Sequence, residues 1–237
     1  MVDTRRVLLT GASRGLGAAL ARGLATRGHP LLLVARSEAA LAQRVTECRA
    51  AGVHAAGCAA DLAIADDCER VARAAEQQFG GIDVLINNAG IGPYRPFTDN
   101  SAADIVRIVA LNLTAPMLLA RALLPGMLAR GHGHVVNIAS DLARRPLANM
   151  APYVASKFGM LGFAGSLHRE LRARGVKVTT VLPGIIDSGF NGAIEGSKDA
   201  RWAMPTADLA RQVIALLDLP AHLVADEIAL HPVEGDY

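Results

Sequence analysis

The chain lacks several features that would steer its reading elsewhere. Its longest uncharged apolar stretch near the centre, residues 108–120, has 13 residues and contains Pro116. A bilayer span needs about 20, so this stretch reads as a buried helix and no membrane partner is expected. There is no basic run beyond Arg5-Arg6 and Arg144-Arg145, and the net charge is only +2. That balance argues against nucleic acid or an anionic membrane as a partner. The three cysteines, Cys48, Cys58 and Cys68, include no CxxC and have no paired histidine. No metal site is expected from them, and reduced thiols in a cytoplasmic protein are. Residues 1–6 run straight into an apolar segment, so no secretory leader is expected. No repeat, low-complexity tract or linker interrupts the 237 residues, of which 51% are hydrophobic and 19% charged. Residues 1–237 are therefore expected to form one globular domain with an ample core.

What is present is alternation. Short apolar runs at 7–9, 31–34, 53–59, 84–86, 134–138, 176–182 and 227–230 read as strands. Between them, helical spacing occupies 18–27, 37–50 (with Ser37 as N-cap), 65–79, 101–130 with a break near Pro116, 153–174 and 206–217. Residues from 187 to about 204 have no clear period and several glycines, and read as a mobile substrate flap. Uniformly apolar strands alternating with helices imply an α/β fold. It is a doubly wound parallel sheet of about seven strands with helices on both faces. Ligands of such sheets bind beyond the carboxyl ends of the strands.

The first such end carries Thr10-Gly11-Ala12-Ser13-Arg14-Gly15-Leu16-Gly17, between a strand and a helix. Glycines permit a tight turn and let backbone N–H groups approach a pyrophosphate at the helix N-terminus. The spacing is G-x-x-x-G-x-G rather than G-x-G-x-x-G. After the second strand stands Ala35-Arg36-Ser37, with no acid to bond a ribose 2′-hydroxyl. Arg36, with Arg14 from the first loop, suits a 2′-phosphate instead. NADP(H) is therefore expected over NAD(H).

Tyr153 and Lys157 are four residues apart, one turn along the same helical face. A cation beside a phenol lowers its pKa from about 10 and lets it exchange protons with a carbonyl or alcohol oxygen. Ser140 follows the fifth strand and its hydroxyl is expected in the same crevice. Asn112 lies mid-helix among apolar neighbours, a poor place for asparagine. It either holds a water linking Lys157 to solvent or satisfies a local kink.

Together with Asp61-Leu62, Asn87-Asn88-Ala89-Gly90 and Pro183-Gly184, these residues resemble the short-chain dehydrogenase/reductase family over nearly the whole chain. The resemblance implies a Rossmann-type sheet and an Asn112-Ser140-Tyr153-Lys157 tetrad. In it Tyr153 is the general acid/base and Ser140 orients the carbonyl. Lys157 tunes the phenol and bonds the nicotinamide ribose, and Asn112 supports a proton relay. Gly11, Ser13, Gly15, Leu16 and Gly17 would form the cofactor loop. Asp61 and Leu62 would meet the adenine. Asn88, Ala89 and Gly90 would line the ribose and ring, and Pro183, Gly184 and Ile186 would flank the nicotinamide. Ser188 stands where the family usually has threonine and keeps the hydroxyl. The implied reaction interconverts a ketone or aldehyde and an alcohol. A 3-oxo or 3-hydroxy acid or a hydrophobic ketone is the leading substrate, and the last strand and the helix after Thr206 resemble the family's oligomer contacts, so a homotetramer or dimer is expected.

Other residues receive plainer readings. Asp141 is expected as a solvated turn carboxylate, and His132 and His134 as surface loop histidines. Arg144 and Arg145 are read as solvated or interfacial. Trp202 and Met204 either cover substrate or meet a neighbouring subunit. Two rival functions remain at this level: a non-catalytic NADP(H)-sensing protein, and an epimerase or dehydratase with bound nicotinamide. The cofactor reading has a direct check. Arg36→Asp is expected to weaken use of NADPH and improve that of NADH. Identical kcat/KM values for parent and variant with both cofactors would refute it.

Overall fold

The computed structural model describes residues 4–235. Residues 1–3, which enter the expectation of no leader, lie outside the described residues. In chain order the elements are β1 (Val7–Thr10), α1 (Gly15–Thr26), β2 (Leu31–Ala35), α2 (Glu38–Ala50), β3 (Ala55–Ala59), α3 (Ala65–Phe79) and β4 (Val84–Asn87). Then come α4 (Ala102–Val109), α5 (Ala115–Arg130), β5 (Gly133–Ile138), α6 (Ala151–Leu171) and β6 (Val176–Pro183). The chain closes with β7 (Ile186–Asp187), β8 (Met204–Pro205), α7 (Thr206–Ala215) and β9 (Glu227–Leu230).

Seven strands form one parallel sheet in the order β3-β2-β1-β4-β5-β6-β9. This is the Rossmann-type arrangement expected. Alternate side chains of each strand enter opposite layers. Leu9, Leu33 and Ile86 pack with α1, α2 and α7 on one face. Leu8, Leu32 and Leu85 pack with α3, α5 and α6 on the other. Each fully buried leucine contributes about 1.5–3 kcal/mol, and burial on both faces explains why β2 is apolar throughout and β1 and β4 are apolar up to their last residue.

The helical region after Ser101 differs from expectation in an informative way. Ser101 caps it, accepting from the Asp104 N–H at 3.1 Å while Asp104 accepts from the Ser101 N–H. The expected break at Pro116 is instead a π turn at Ala110–Thr114, one turn earlier. Pro116 offers no N–H to the Asn112 carbonyl four residues back, and the wider turn relieves the clash between its ring and that carbonyl. The joined run Ala102–Arg130 is long and apolar enough, by length and composition, to cross a bilayer. Here its apolar residues Leu111, Leu119, Leu123 and Met127 lie within the second core layer, as in a core helix.

One further expectation changes. His134 is no surface histidine: it is buried on β5, with Nε2 2.8 Å from Thr179 Oγ1, and burial pushes its pKa down to about 3. His132 is exposed as expected. All three cysteines are buried free thiols, and burial pushes Cys68 up to about 11.

The amino ends of β1 and β4 are joined by Asp83. Its Oδ2 accepts from Arg6 N and Nε at 3.0 and 2.8 Å, and its Oδ1 from Arg6 Nη2 at 2.6 Å. Burial raises the carboxyl's pKa, but these bonds and the charges of Arg6 and Arg130 outweigh it and hold it below the usual value. A depressed carboxyl contributes stability that is complete above its unfolded value near 4 and is lost as pH falls through the folded value. Asp83→Asn is therefore expected to cost about 1–3 kcal/mol at neutral pH. Urea unfolding of both proteins should show that difference narrowing as the pH falls below about 4.

Candidate active site

The carboxyl ends of the strands open into a cavity of about 890 Å³. Its floor is the turn between β1 and α1. Gly11 adopts φ +68°, and a Cβ on Gly17 would overlap the Gly11 carbonyl oxygen, so the helix can begin this close to the strand only without side chains. Arg14 occupies the N-cap of α1 but makes no side-chain capping bond. The first turn of α1, whose N–H groups lack intrahelical partners, lines the cavity through Gly15, Leu16 and Gly17, a cradle that fits an anion such as a pyrophosphate.

Asn88, at the end of β4, braces this turn. Its Nδ2 donates to the carbonyls of Thr10 and Gly11 at 2.9 and 3.3 Å, and Thr10 Oγ1 accepts from the N–H groups of Asn88 and Ala89. Ser188 is buried against the same turn: a Cβ on Gly15 would lie 3.5 Å from Ser188 Cβ. Arg14 and Arg36 are exposed on the cavity's outer end. Asp61 lines the wall there, its carboxylate held by Arg107 Nη2 at 2.8 and 3.1 Å. Burial raises the Asp61 pKa, but the bonds from Arg107 and Ala63 and the charges of Arg107 and Arg36 prevail and lower it.

At the inner end, α6 presents Tyr153 and Lys157, and the loop after β5 presents Ser140; all three are buried and line the cavity. Burial pushes the Tyr153 phenol up to about 12; a hydrogen bond with Ser140 pulls it back, and the Asp141 charge raises it. Burial likewise pushes Lys157 down to about 8. The lysine amine lies 5.6 Å from the Tyr153 ring centre and donates to the Ile138 carbonyl at 2.8 Å. The expected lowering of the phenol by Lys157 is therefore not found in the chain by itself. Both groups are out of water, and that desolvation exceeds their mutual effect.

Every site residue anticipated from the sequence lines this cavity except Asn112. Asn112 lies in the π turn, and its amide is fully engaged. Oδ1 accepts from the Ile91 N–H at 2.9 Å, and Nδ2 donates to the Ile91 carbonyl at 2.8 Å and to Ser156 Oγ at 3.1 Å. Ser156 in turn donates to the Tyr153 carbonyl at 2.6 Å. Asn112 thus ties the loop after β4 to the helix that carries Tyr153.

Several residues were not anticipated. Gly92 lies flat against the Tyr153 ring, and Phe190 meets that ring at 5.9 Å between centres. Leu142, Leu147 and Met150 add an apolar wall. Gly92 was visible in Gly90-Ile91-Gly92, but nothing in the sequence told what it would touch. Asp141 is not solvated as expected: it lines the cavity and accepts from Ser140 Oγ at 3.1 Å. The two arginines part company, with Arg144 paired to Glu227 and Arg145 at the cavity wall. Trp202 and Met204 do not line the cavity; Met204 pairs with Ile186 and packs on the core. That pairing of β7 with β8 fastens both ends of the expected flap, while 188–193 form cavity wall between them.

A family model described as short chain dehydrogenase matches residues 5–199. The chain belongs to the short-chain dehydrogenase/reductase family. It is thereby a nicotinamide-dependent oxidoreductase acting on CH–OH groups. Among curated relatives, ketoacyl reductase HetN of a Nostoc species is 41% identical over 77% of this chain, but the match spans only 63% of that relative, less than two thirds of its length. The 3-oxoacyl-(acyl-carrier-protein) reductase FabG of Vibrio cholerae is 34% identical over 100% of this chain and 93% of the relative. Among solved structures, an alcohol dehydrogenase from the archaeon Thermococcus sibiricus, complexed with 5-hydroxy-NADP, superposes with a TM-score of 0.93. It is 27% identical and the match covers 99% of both chains.

The Gly92 contact yields a test of the inner end. A Cβ on Gly92 would overlap Tyr153 Cδ2. Gly92→Ala is expected to displace the phenol and lower kcat by about 100-fold, the loss that a misplaced reacting group produces, while α6 remains folded by circular dichroism. Unchanged kcat would mean the ring can shift freely.

Proposed function

We propose that this protein interconverts a ketone or aldehyde and an alcohol with NADP(H), Tyr153 acting as general acid/base. One observation carries the reading: Ser140, Tyr153 and Lys157 share a cavity with the glycine turn at the N-terminus of α1. The preference for NADP(H) over NAD(H) rests on Arg14 and Arg36 at the cavity's outer end, with no acid at 35–37. The 5-hydroxy-NADP in the Thermococcus relative supports it.

A bound nicotinamide would supply the hydride acceptor or donor. The chain's own residues handle position and protons. A phenol with a pKa near 12 is protonated at neutral pH, the form that gives a proton to a carbonyl oxygen. Ser140 hydrogen-bonds the same oxygen. Lys157 would hold the nicotinamide ribose. Asn112 braces α6 and would support a proton relay from Lys157. Gly11, Ser13, Gly15, Leu16 and Gly17 would cradle the phosphates. Asp61 and Leu62 would meet the adenine, and Asn88, Ala89 and Gly90 the ribose and ring. Pro183, Gly184 and Ile186 would flank the nicotinamide, with Ser188 bonding its carboxamide or a phosphate.

The apolar wall of Leu142, Leu147 and Met150 suits a hydrophobic ketone or a 3-oxo acid, and the ketoacyl reductase relatives favour the second. The reading takes 1–237 as one catalytic domain with a substrate flap at about 187–204. It places the protein in the cytoplasm, without nucleic-acid or membrane partners. It also has the protein work as a homotetramer or dimer, a role that β9 suits as the exposed edge of the sheet.

A carbonyl and alcohol panel followed by reduced-nicotinamide absorbance, with phosphorylated and unphosphorylated cofactor, tests the reading. Tyr153→Phe should abolish turnover and leave NADPH affinity nearly intact; a working variant would assign the acid elsewhere. The pH profile follows from Lys157. An amine with a lowered pKa is charged below that value and neutral above it. Carbonyl-reduction kcat/KM should therefore hold level below pH about 8 and fall above it.

A further inference from the structure

We propose that Asp141 is a positioning residue for the reaction, acting through Ser140: it holds the serine's hydroxyl proton and aims the serine's lone pairs into the crevice. The inference rests on the function proposed above. Ser140 has one proton to donate. In this structure it goes to Asp141 Oδ1 at 3.1 Å, and Ser140 Oγ in turn accepts from the Leu142 N–H at 3.2 Å. The carboxylate is itself fixed, since Oδ1 also accepts from the Leu142 N–H at 2.8 Å. A charged acceptor makes a stronger bond than a neutral one, so the resting serine is set to accept from an alcohol hydroxyl. To donate to a carbonyl, it must turn its proton away from Asp141.

The same carboxylate sits beside the buried phenol, where a negative charge opposes phenolate formation. Several other charged or titratable groups face this region. Tyr153 and Lys157 come from α6, Arg145 from the loop that follows Asp141, and Lys198 from the flap. His231, beyond β9, has Nε2 4.0 Å from Asp141 Oδ2. Tyr153 is also hydrogen-bonded to Ser140, and Asp141 is the carboxylate that accepts the serine's proton.

Two substitutions separate its two effects. Asp141→Asn keeps an acceptor for the Ser140 proton but removes the charge; Asp141→Ala removes both. The experiment measures kcat/KM for alcohol oxidation against pH, with NADPH affinity and thermal midpoint for each full-length variant. The alkaline rise of oxidation reports formation of phenolate. With Asn it is expected to move to lower pH by on the order of half a unit or more, with NADPH affinity unchanged. Ala should show the same displacement and, with Ser140 released, a further loss of about 10-fold in kcat. The displacement must persist when Asn is combined with His231→Gln, because the histidine lies 4.0 Å from the carboxylate and could titrate with it. An Ala variant that keeps the kcat of the Asn variant overturns the inference, as does a profile that stays in place in the Asn variant or a displacement that vanishes in the His231→Gln background. A parent protein that turns over no carbonyl or alcohol would instead sink the function on which the inference rests.

Discussion

The geometry of the site depends on how β1 and β4 are joined at the point where the strand order reverses. After Thr10 and Asn87 the two chains leave the sheet, and their backbone groups lose the ladder that satisfied them. Thr10 Oγ1 replaces it by donating to the Ile86 carbonyl and accepting from Asn88 and Ala89 N–H groups, while the Asn88 amide covers the carbonyls of Thr10 and Gly11. A polar group left unpaired here would cost about 1–3 kcal/mol. Because the brace satisfies the outward carbonyls of the turn, the N–H groups of α1 remain available to a ligand. The cradle and the Rossmann-type sheet are thus one construction.

A second constraint is dehydration. The reactive groups are buried among apolar side chains on α6 and β5, and burial favours their neutral forms. A phenol kept protonated and an amine close to losing its proton form a pair whose balance a bound cation, anion or dipole can tip. Exposed to water, the same two groups would keep their ordinary values and respond weakly to a neighbour. The fold therefore supplies reactivity by excluding solvent as much as by proximity.

Most of the architecture was legible because buried parallel strands leave long apolar runs and because helix ends carry local chemistry. Ser37 does accept from the Ala40 N–H, and α3 begins and ends where its pattern did. Boundaries slipped where tertiary pairing decides them, as at β3, which starts two residues later than its composition suggested. The π turn was illegible since its cause is a steric conflict at Pro116, which a periodicity scan reads as a break. His134 and Asp141 were misread for one reason: a polar side chain beside turn residues looks solvated until its partner is known. For His134 the partner is Thr179, 45 residues away, and no local pattern announces it. For Asp141 it is the neighbouring Ser140, bonded only because the loop turns both side chains inward.

The cations of the site divide by environment, and the division separates affinity from chemistry. Arg14 and Arg36 are exposed, so their attraction for a phosphate is screened by salt and changes modestly with substitution. Lys157 is buried and bonded to the Ile138 carbonyl, where loss of the amine would leave that carbonyl unpaired and the Tyr153 phenol without its nearby charge. The exposed rim and the buried end are thus held by different environments, the first by solvent and the second by the core. Asp141 stands on the chemical side of that division. Its carboxylate accepts from Ser140, whose hydroxyl is also bonded to the Tyr153 phenol.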